Sequence, residues 1–194
     1  MRIAFLNDDR IAQAAADLLQ AHHPSGSLPI PIEDIIDVGM RVNIYPLDGI
    51  RRKFEVAAYV TADLKTIVID ERVQISAGVY YRFSLAHELA HIVLHGSFIQ
   101  SLNFSSVGDW KATLNRLTDQ EHYRLERQAN LFAGCILIPA TSLRAIANSI
   151  RNAAAPLFPD PGERALYMRD QLAAKFFVST EAMGYRMREE EIEP

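Results

Sequence analysis

The stretch Arg82-Phe83-Ser84-Leu85-Ala86-His87-Glu88-Leu89-Ala90-His91 places two histidines four residues apart, with a glutamate directly after the first. Each residue of an α-helix advances about 100°, so His87 and His91 lie only about 40° apart around the axis and can bind one metal ion. Glu88 falls about 60° beyond His91, close enough to serve a water molecule at that ion without being a ligand. Leu85, Leu89 and Ile92 share the opposite side and predict a buried back. Ala86 and Ala90 leave room beside the histidines for a substrate or a second helix. H-E-x-x-H on a helix points to zinc hydrolase chemistry, but so short a pattern also arises by chance. The surrounding sequence has to supply the rest.

A tetrahedral catalytic zinc takes three protein ligands and leaves one open position, so a third ligand is needed. Thr118-Asp119-Gln120-Glu121 has the form of a capping box and opens an apolar-periodic stretch that reaches Leu137. Glu126 and Asn130 lie four apart on one face of that stretch, with Ala129 and Ala133 small enough to let two helices approach closely. Glu126 is the expected third ligand. Asn130 is the expected acceptor for the free ring N–H of one histidine.

Arg82 to His91, followed by Glu126-Arg127-Gln128-Ala129-Asn130-Leu131-Phe132-Ala133 and then Leu137-Ile138-Pro139, resembles the ImmA/IrrE family of metallo-endopeptidases. Pro29-Ile30-Pro31-Ile32-Glu33-Asp34-Ile35-Ile36 looks like the start of that family, so the resemblance spans most of the first 140 residues. It implies a compact gluzincin-like zinc peptidase in which His87, His91 and Glu126 bind the metal and Glu88 is the base. Gly134-Cys135 departs from the small or aliphatic residues usual in relatives and leaves the site untouched.

The remaining composition fits a small cytosolic enzyme. With 194 residues and 49% hydrophobic content the chain can bury one good core. A formal charge of −4 gives no bulk attraction to nucleic acid or anionic membrane. Asn7, Asp8, Asp9 and Arg10 stand where a signal peptide needs its apolar region, and the apolar run Leu131 to Ala140 is too short to span a bilayer. The single Cys135 excludes an intrachain disulfide framework and suits a reducing compartment, so a cytoplasmic location is expected.

Along the chain, Asp8 or Asp9 caps a predicted helix ending near His22-His23-Pro24, and a short helix from Ile32 stops at Gly39. Three predicted strands follow, at Arg41 to Tyr45, Phe54 to Thr61 and Thr66 to Asp70, with turns at Asp48-Gly49 and Ala62-Asp63. Such a sheet could hold an extended substrate along an exposed edge, or only complete the core. The active-site helix is expected to end at His95-Gly96. His95 continues the row of histidines, yet three successive turns of one straight helix cannot converge on one tetrahedral ion, so it reads as a helix-end or core residue. A metzincin ligand six residues beyond His91 would be Ser97, which rules that reading out. Between Gly96 and Leu117 a long polar stretch with the only tryptophan, Trp110, reads as a lid, a binding loop or disorder. His122, one turn before Glu126, is a candidate donor to the oxyanion of a tetrahedral intermediate, as are Tyr80, Tyr81 and Tyr123.

After Pro139 the pattern predicts helices over Ala140 to Asn152, Glu163 to Phe176 and beyond Ser179, the last pair resembling a helix-turn-helix. Glu181, Glu189, Glu190, Glu191 and Glu193 load this end with negative charge, so strong nucleic-acid binding is not expected despite Arg186 and Arg188. The expected fold is α+β: a small, mainly antiparallel three-stranded sheet packed on the H-E-x-x-H helix and the Glu126 helix, then a helical C-terminal module. The expected division is a metallopeptidase domain over 1–139 and the helical module over 140–194. The expected function is a zinc-dependent endopeptidase, which by resemblance acts on a specific regulatory protein such as a helix-turn-helix transcriptional repressor. The alternative is a metal-containing regulatory or protein-binding module that acts without proteolysis.

Overall fold

The computed structural model describes residues 3–193. Helix α1 (Asp8–His22) starts at Asn7, whose side chain accepts from Arg10 N–H; the cap is thus one residue ahead of the aspartates expected for it. A short helix α2 (Ile32–Asp34) runs into a π-helical turn over Ile35–Gly39, which ends at the expected glycine. Next come strand β1 (Asn43–Leu47), helix α3 (Ile50–Phe54), strands β2 (Ala58–Val60) and β3 (Thr66–Asp70), and helix α4 (Glu71–Ser76). The chain is completed by helices α5 (Val79–Leu102), α6 (Val107–Leu114), α7 (Asp119–Leu137), α8 (Ala140–Ala154), α9 (Pro161–Phe176) and α10 (Thr180–Glu189).

The sheet has the order β1-β3-β2 and is mixed: β2 pairs with β3 antiparallel, whereas β1 pairs with β3 parallel. The mainly antiparallel arrangement expected from three consecutive strands is corrected in the β1 pairing, because the segment between β1 and β2 is not a tight hairpin, and β3 rather than β2 comes to lie beside β1. That segment folds instead into α3, where the Asp70 carboxylate accepts from Arg51 N–H at 2.9 Å and Ile50 is buried. The strand expected over Phe54 to Thr61 is correspondingly shorter: α3 takes Phe54, and β2 begins only at Ala58. Glu55 then ends α3 in the left-handed region at φ 60°.

The two sheet faces bury different residues, as the period of two requires. Ala58, Val60, Ile67 and Ile69 join the main core with Leu85, Leu89 and Phe132. Tyr59 and Val68 face a smaller cluster with Ile50 and Val107, on which Trp110 packs at 5.7 Å from the Tyr59 ring. The polar stretch expected as a lid or loop is therefore largely helical. Its first part extends α5 six residues past Gly96, and its middle is α6, capped by Ser106. Gly96 does not stop the helix: a Cβ there would lie 2.9 Å from Leu64 Cδ1, so the glycine permits close approach of the β2–β3 turn. Strand β2 is an edge strand paired only with β3, and all three of its residues are buried.

Helix α5 lies at the centre, with α7 against one side and β2 against another. Ala86, Ala90, Ala129 and Ala133 are fully buried, which lets α5 and α7 meet closely. Arg82 ties α5 to its surroundings: its guanidinium donates to the backbone oxygens of Phe177 and Ile30 and stacks over the Phe177 ring. The main core runs on from Ile11 through α5 and α7 into Leu172, Phe176 and Met187 of α9 and α10.

Candidate metal centre

The two elements that form the centre start differently. Helix α7 is fixed by the capping box anticipated at Thr118 and Glu121, in which each residue bonds the other's backbone N–H. Helix α5 starts at extended Gly78 without a side-chain cap and is held by its burial. The packing of the two brings His87, His91 and Glu126 together, and one donor atom from each lies within 4.8 Å of the others. His87 Nε2 is 3.1 Å from His91 Nε2 and 3.3 Å from Glu126 Oε2, while His91 Nε2 is 4.0 Å from Glu126 Oε1. Donors about 2.0–2.2 Å from a tetrahedral ion stand about 3.3–3.6 Å from one another, so the three groups could hold a metal ion after small adjustments.

The outer nitrogens of both rings are held as well. His87 Nδ1 lies 3.0 Å from Asn130 Oδ1, the contact expected for that asparagine. His91 Nδ1 lies 3.1 Å from His95 Nδ1, and His95 Nε2 lies 2.8 Å from Gln128 Oε1. His95 is a buried core residue turned away from the ion position, in keeping with the geometric argument against a third ligand from α5. Sequence reasoning misses Gln128. It lies two residues from Glu126, off the Glu126–Asn130 face, and no local pattern marks it.

The electrostatics follow from burial and proximity. Burial disfavours the His87 imidazolium, but the hydrogen bond to Glu126, the charges of Glu88 and Glu126, and Asn130 outweigh it and raise its pKa. His91 is held well below its usual value by burial and by the charges of His87 and His95. Burial pushes the Glu126 carboxyl up, yet the hydrogen bond and charge of His87, with His122 and His95 behind it, bring it below the usual range. Glu88 is buried, and burial together with the charge of Glu126 pushes it up to about 7 against His87 and the Val60 backbone N–H.

The other candidates fall in different places. His122 is exposed, one turn before Glu126. Tyr81 is buried in the main core, with its phenol pushed up to about 12 by burial and by Glu33, and takes no part in the site. Tyr80 and Tyr123 line a groove of about 730 Å3 that opens beside Glu126 and Asn130. Phe83 and Leu131 form part of its wall, and Val178, Ala182 and Tyr185 complete it from the C-terminal region. Arg186, a charge that the sequence leaves available to a nucleic acid, is instead buried, donating to Glu189, Glu190 and the backbone oxygen of Ile138. No single helix among the described residues is long and apolar enough to cross a membrane.

No curated protein matches the chain. A solved structure of a Mycobacterium tuberculosis transcriptional regulator is similar in fold, with a TM-score of 0.55 at 16% identity; the match covers 94% of this chain and 47% of that one. The chain thus spans about half the length of that protein. Residues 38–188 match the Peptidase_M78 family, described as the IrrE N-terminal-like domain, and this range contains the His-His-Glu group, so the chain belongs to that family.

Proposed function

We propose that the protein is a zinc-dependent endopeptidase of the gluzincin type, with His87, His91 and Glu126 as metal ligands and Glu88 as general base. The observation that carries this reading is the convergence of two imidazole nitrogens and one carboxylate beside a buried fourth group, Glu88. Family membership supports metallopeptidase-type function and implies a protein substrate. Zinc suits the two-nitrogen, one-oxygen donor set and, when bound, polarises the scissile carbonyl and acidifies the attacking water.

Glu88 accepts the proton of the attacking water and passes it to the leaving amine, a role that suits its place directly after His87 and its burial beside the three donor groups. Asn130 orients the His87 ring. His122, one turn before Glu126 on the exposed side of α7, is the proposed donor to the carbonyl oxygen as it gains charge, with Tyr123 of the groove wall as a second candidate. The substrate lies in the groove beside Glu126, with residues 1–139 supplying the chemistry and the helical module 140–194 supplying the wall at Val178, Ala182 and Tyr185. A specific regulatory protein such as a helix-turn-helix repressor is the proposed substrate and the cytoplasm the proposed location.

The test compares wild type with Glu88→Gln by sequencing new protein N-termini in cells expressing each. Wild type should generate at least one cleavage product that Glu88→Gln lacks or makes about 10²–10⁴-fold more slowly, while both retain zinc. Identical N-termini in the two samples would reject proteolysis, and an unchanged regulatory effect of Glu88→Gln would then favour a binding module.

A further inference from the structure

Behind the proposed metal ligand His91 lies a buried file of polar side chains, His95 and Gln128, that the peptidase chemistry does not call on. It runs from His91 Nδ1 to His95 Nδ1 at 3.1 Å, from His95 Nε2 to Gln128 Oε1 at 2.8 Å, and from Gln128 Nε2 to the backbone oxygen of Ala4 at 3.1 Å. His91, His95 and Gln128 are each 5% exposed or less.

The direction of the file is set at its far end. A carbonyl oxygen only accepts, so Gln128 must present its amide NH2 to Ala4 and its Oε1 to His95. Oε1 also only accepts, which places a proton on His95 Nε2. The neutral ring then has a lone pair on Nδ1, and that lone pair is matched only by a hydrogen on His91 Nδ1. His91 is left with its own lone pair on Nε2, the nitrogen that faces His87 and Glu126. Reversing any one link would set two donors or two acceptors against each other where no solvent can compensate.

We propose that His95 and Gln128 are positioning residues that fix His91 as the Nδ1–H tautomer and so aim its Nε2 lone pair at the metal position, with the Ala4 carbonyl as the fixed reference. The segment carrying Ala4 is itself fastened to α7. Arg124 donates to the Ile3 oxygen at 3.2 Å, and Arg127 grips Asp8 through two bonds of 2.9 and 2.8 Å. Residues far from the ion thereby set the protonation of one ligand. His87, by contrast, has its outer nitrogen held by one exposed asparagine.

This rests on His87, His91 and Glu126 being metal ligands, but its central claim concerns the metal-stripped full chain. The chain has six histidines, so long-range 1H–15N spectra of histidine-labelled protein can be assigned by single substitutions. At neutral pH His91 should carry its proton on Nδ1 and His95 on Nε2. A proton on His91 Nε2, or tautomers of His91 in rapid exchange, would overturn the proposal even in a protein that still binds zinc. Gln128→Met should lose the single His91 tautomer and weaken zinc binding about 10–100-fold in competition with a chelator. Unchanged zinc affinity in folded Gln128→Met would also overturn it, and because the wild-type spectrum does not depend on the Gln128 variant, a Gln128→Met protein that failed to fold would leave that test in force. Wild type that takes up no zinc would instead remove the metal centre, and the proposal with it.

Discussion

Asn130 Oδ1 lies 3.0 Å from His87 Nδ1, across the α5–α7 interface, so the side of His87 away from the ion position carries a hydrogen. Because the contact is exposed and involves a single bond, its loss should weaken the site without unfolding the protein. Asn130→Ala is expected to lower zinc affinity by about tenfold, the low end of the range for such outer partners, with little change in melting temperature. Chelator competition and a thermal melt measure the two effects separately.

One zinc per chain is expected in purified protein, because two rings and one carboxylate complete a three-ligand set. His87→Ala and Glu126→Ala should each lose most of it. Thr118→Ala should keep its zinc and lose only about 1 kcal/mol of stability, since it removes a cap remote from the donors. Elemental analysis finding Glu126→Ala fully loaded would remove Glu126 from the ligand set.

Uptake of zinc should release a proton. The raised pKa of His87 means the metal must displace a hydrogen from its Nε2 wherever that ring is still charged. Affinity is therefore expected to fall as pH drops through that pKa, and calorimetry in buffers of different ionisation enthalpy should show more proton release in acid than in alkali. Equal release across the range would mean that the ring is already neutral.

Glu88 should make the metal-stripped protein sensitive to alkali. Its folded pKa is raised from 4.5 to about 7, so its contribution to stability is complete below 4.5 and is lost as pH rises through about 7. Glu88→Gln has no such loss. Relative to wild type it should gain up to a few kcal/mol between acid and mildly alkaline pH, since stability changes by about 1.4 kcal/mol for each pH unit separating the folded and unfolded pKa values. Denaturant titrations showing parallel pH profiles would contradict this assignment.

Duplex DNA should bind no more tightly than the roughly 10⁻⁴–10⁻⁶ M of nonspecific contacts at physiological salt. Arg186 is committed to Glu189, Glu190 and the Ile138 oxygen, so it has no charge to spare for phosphates. Fluorescence anisotropy revealing tight, sequence-selective binding that disappears on Arg188→Ala would make the C-terminal helices a DNA reader.

Much of the centre was legible because its signals are local. The four-residue spacing of His87 and His91, and of Glu126 and Asn130, is a property of helix geometry, and the Thr118–Glu121 cap marks where α7 begins. The helices after Pro139 could be read in the same way from their periodicity and from the Ser179 cap. Other features depended on partners distant in sequence. Residues 50–54 form a helix because Asp70 accepts the Arg51 N–H nineteen positions away, and β1 runs parallel to β3 because that helix carries the chain across. Gly96 reads as a helix stop until Leu64 is packed against it. Gln128 acquires its place only when α5 brings His95 to one side of it and residue 4 reaches the other. The sequence by itself determined which side chains could bind a metal, since helical spacing needs no distant partner; the tertiary structure decided how those side chains are aimed, since each aiming bond joins residues that only folding brings together.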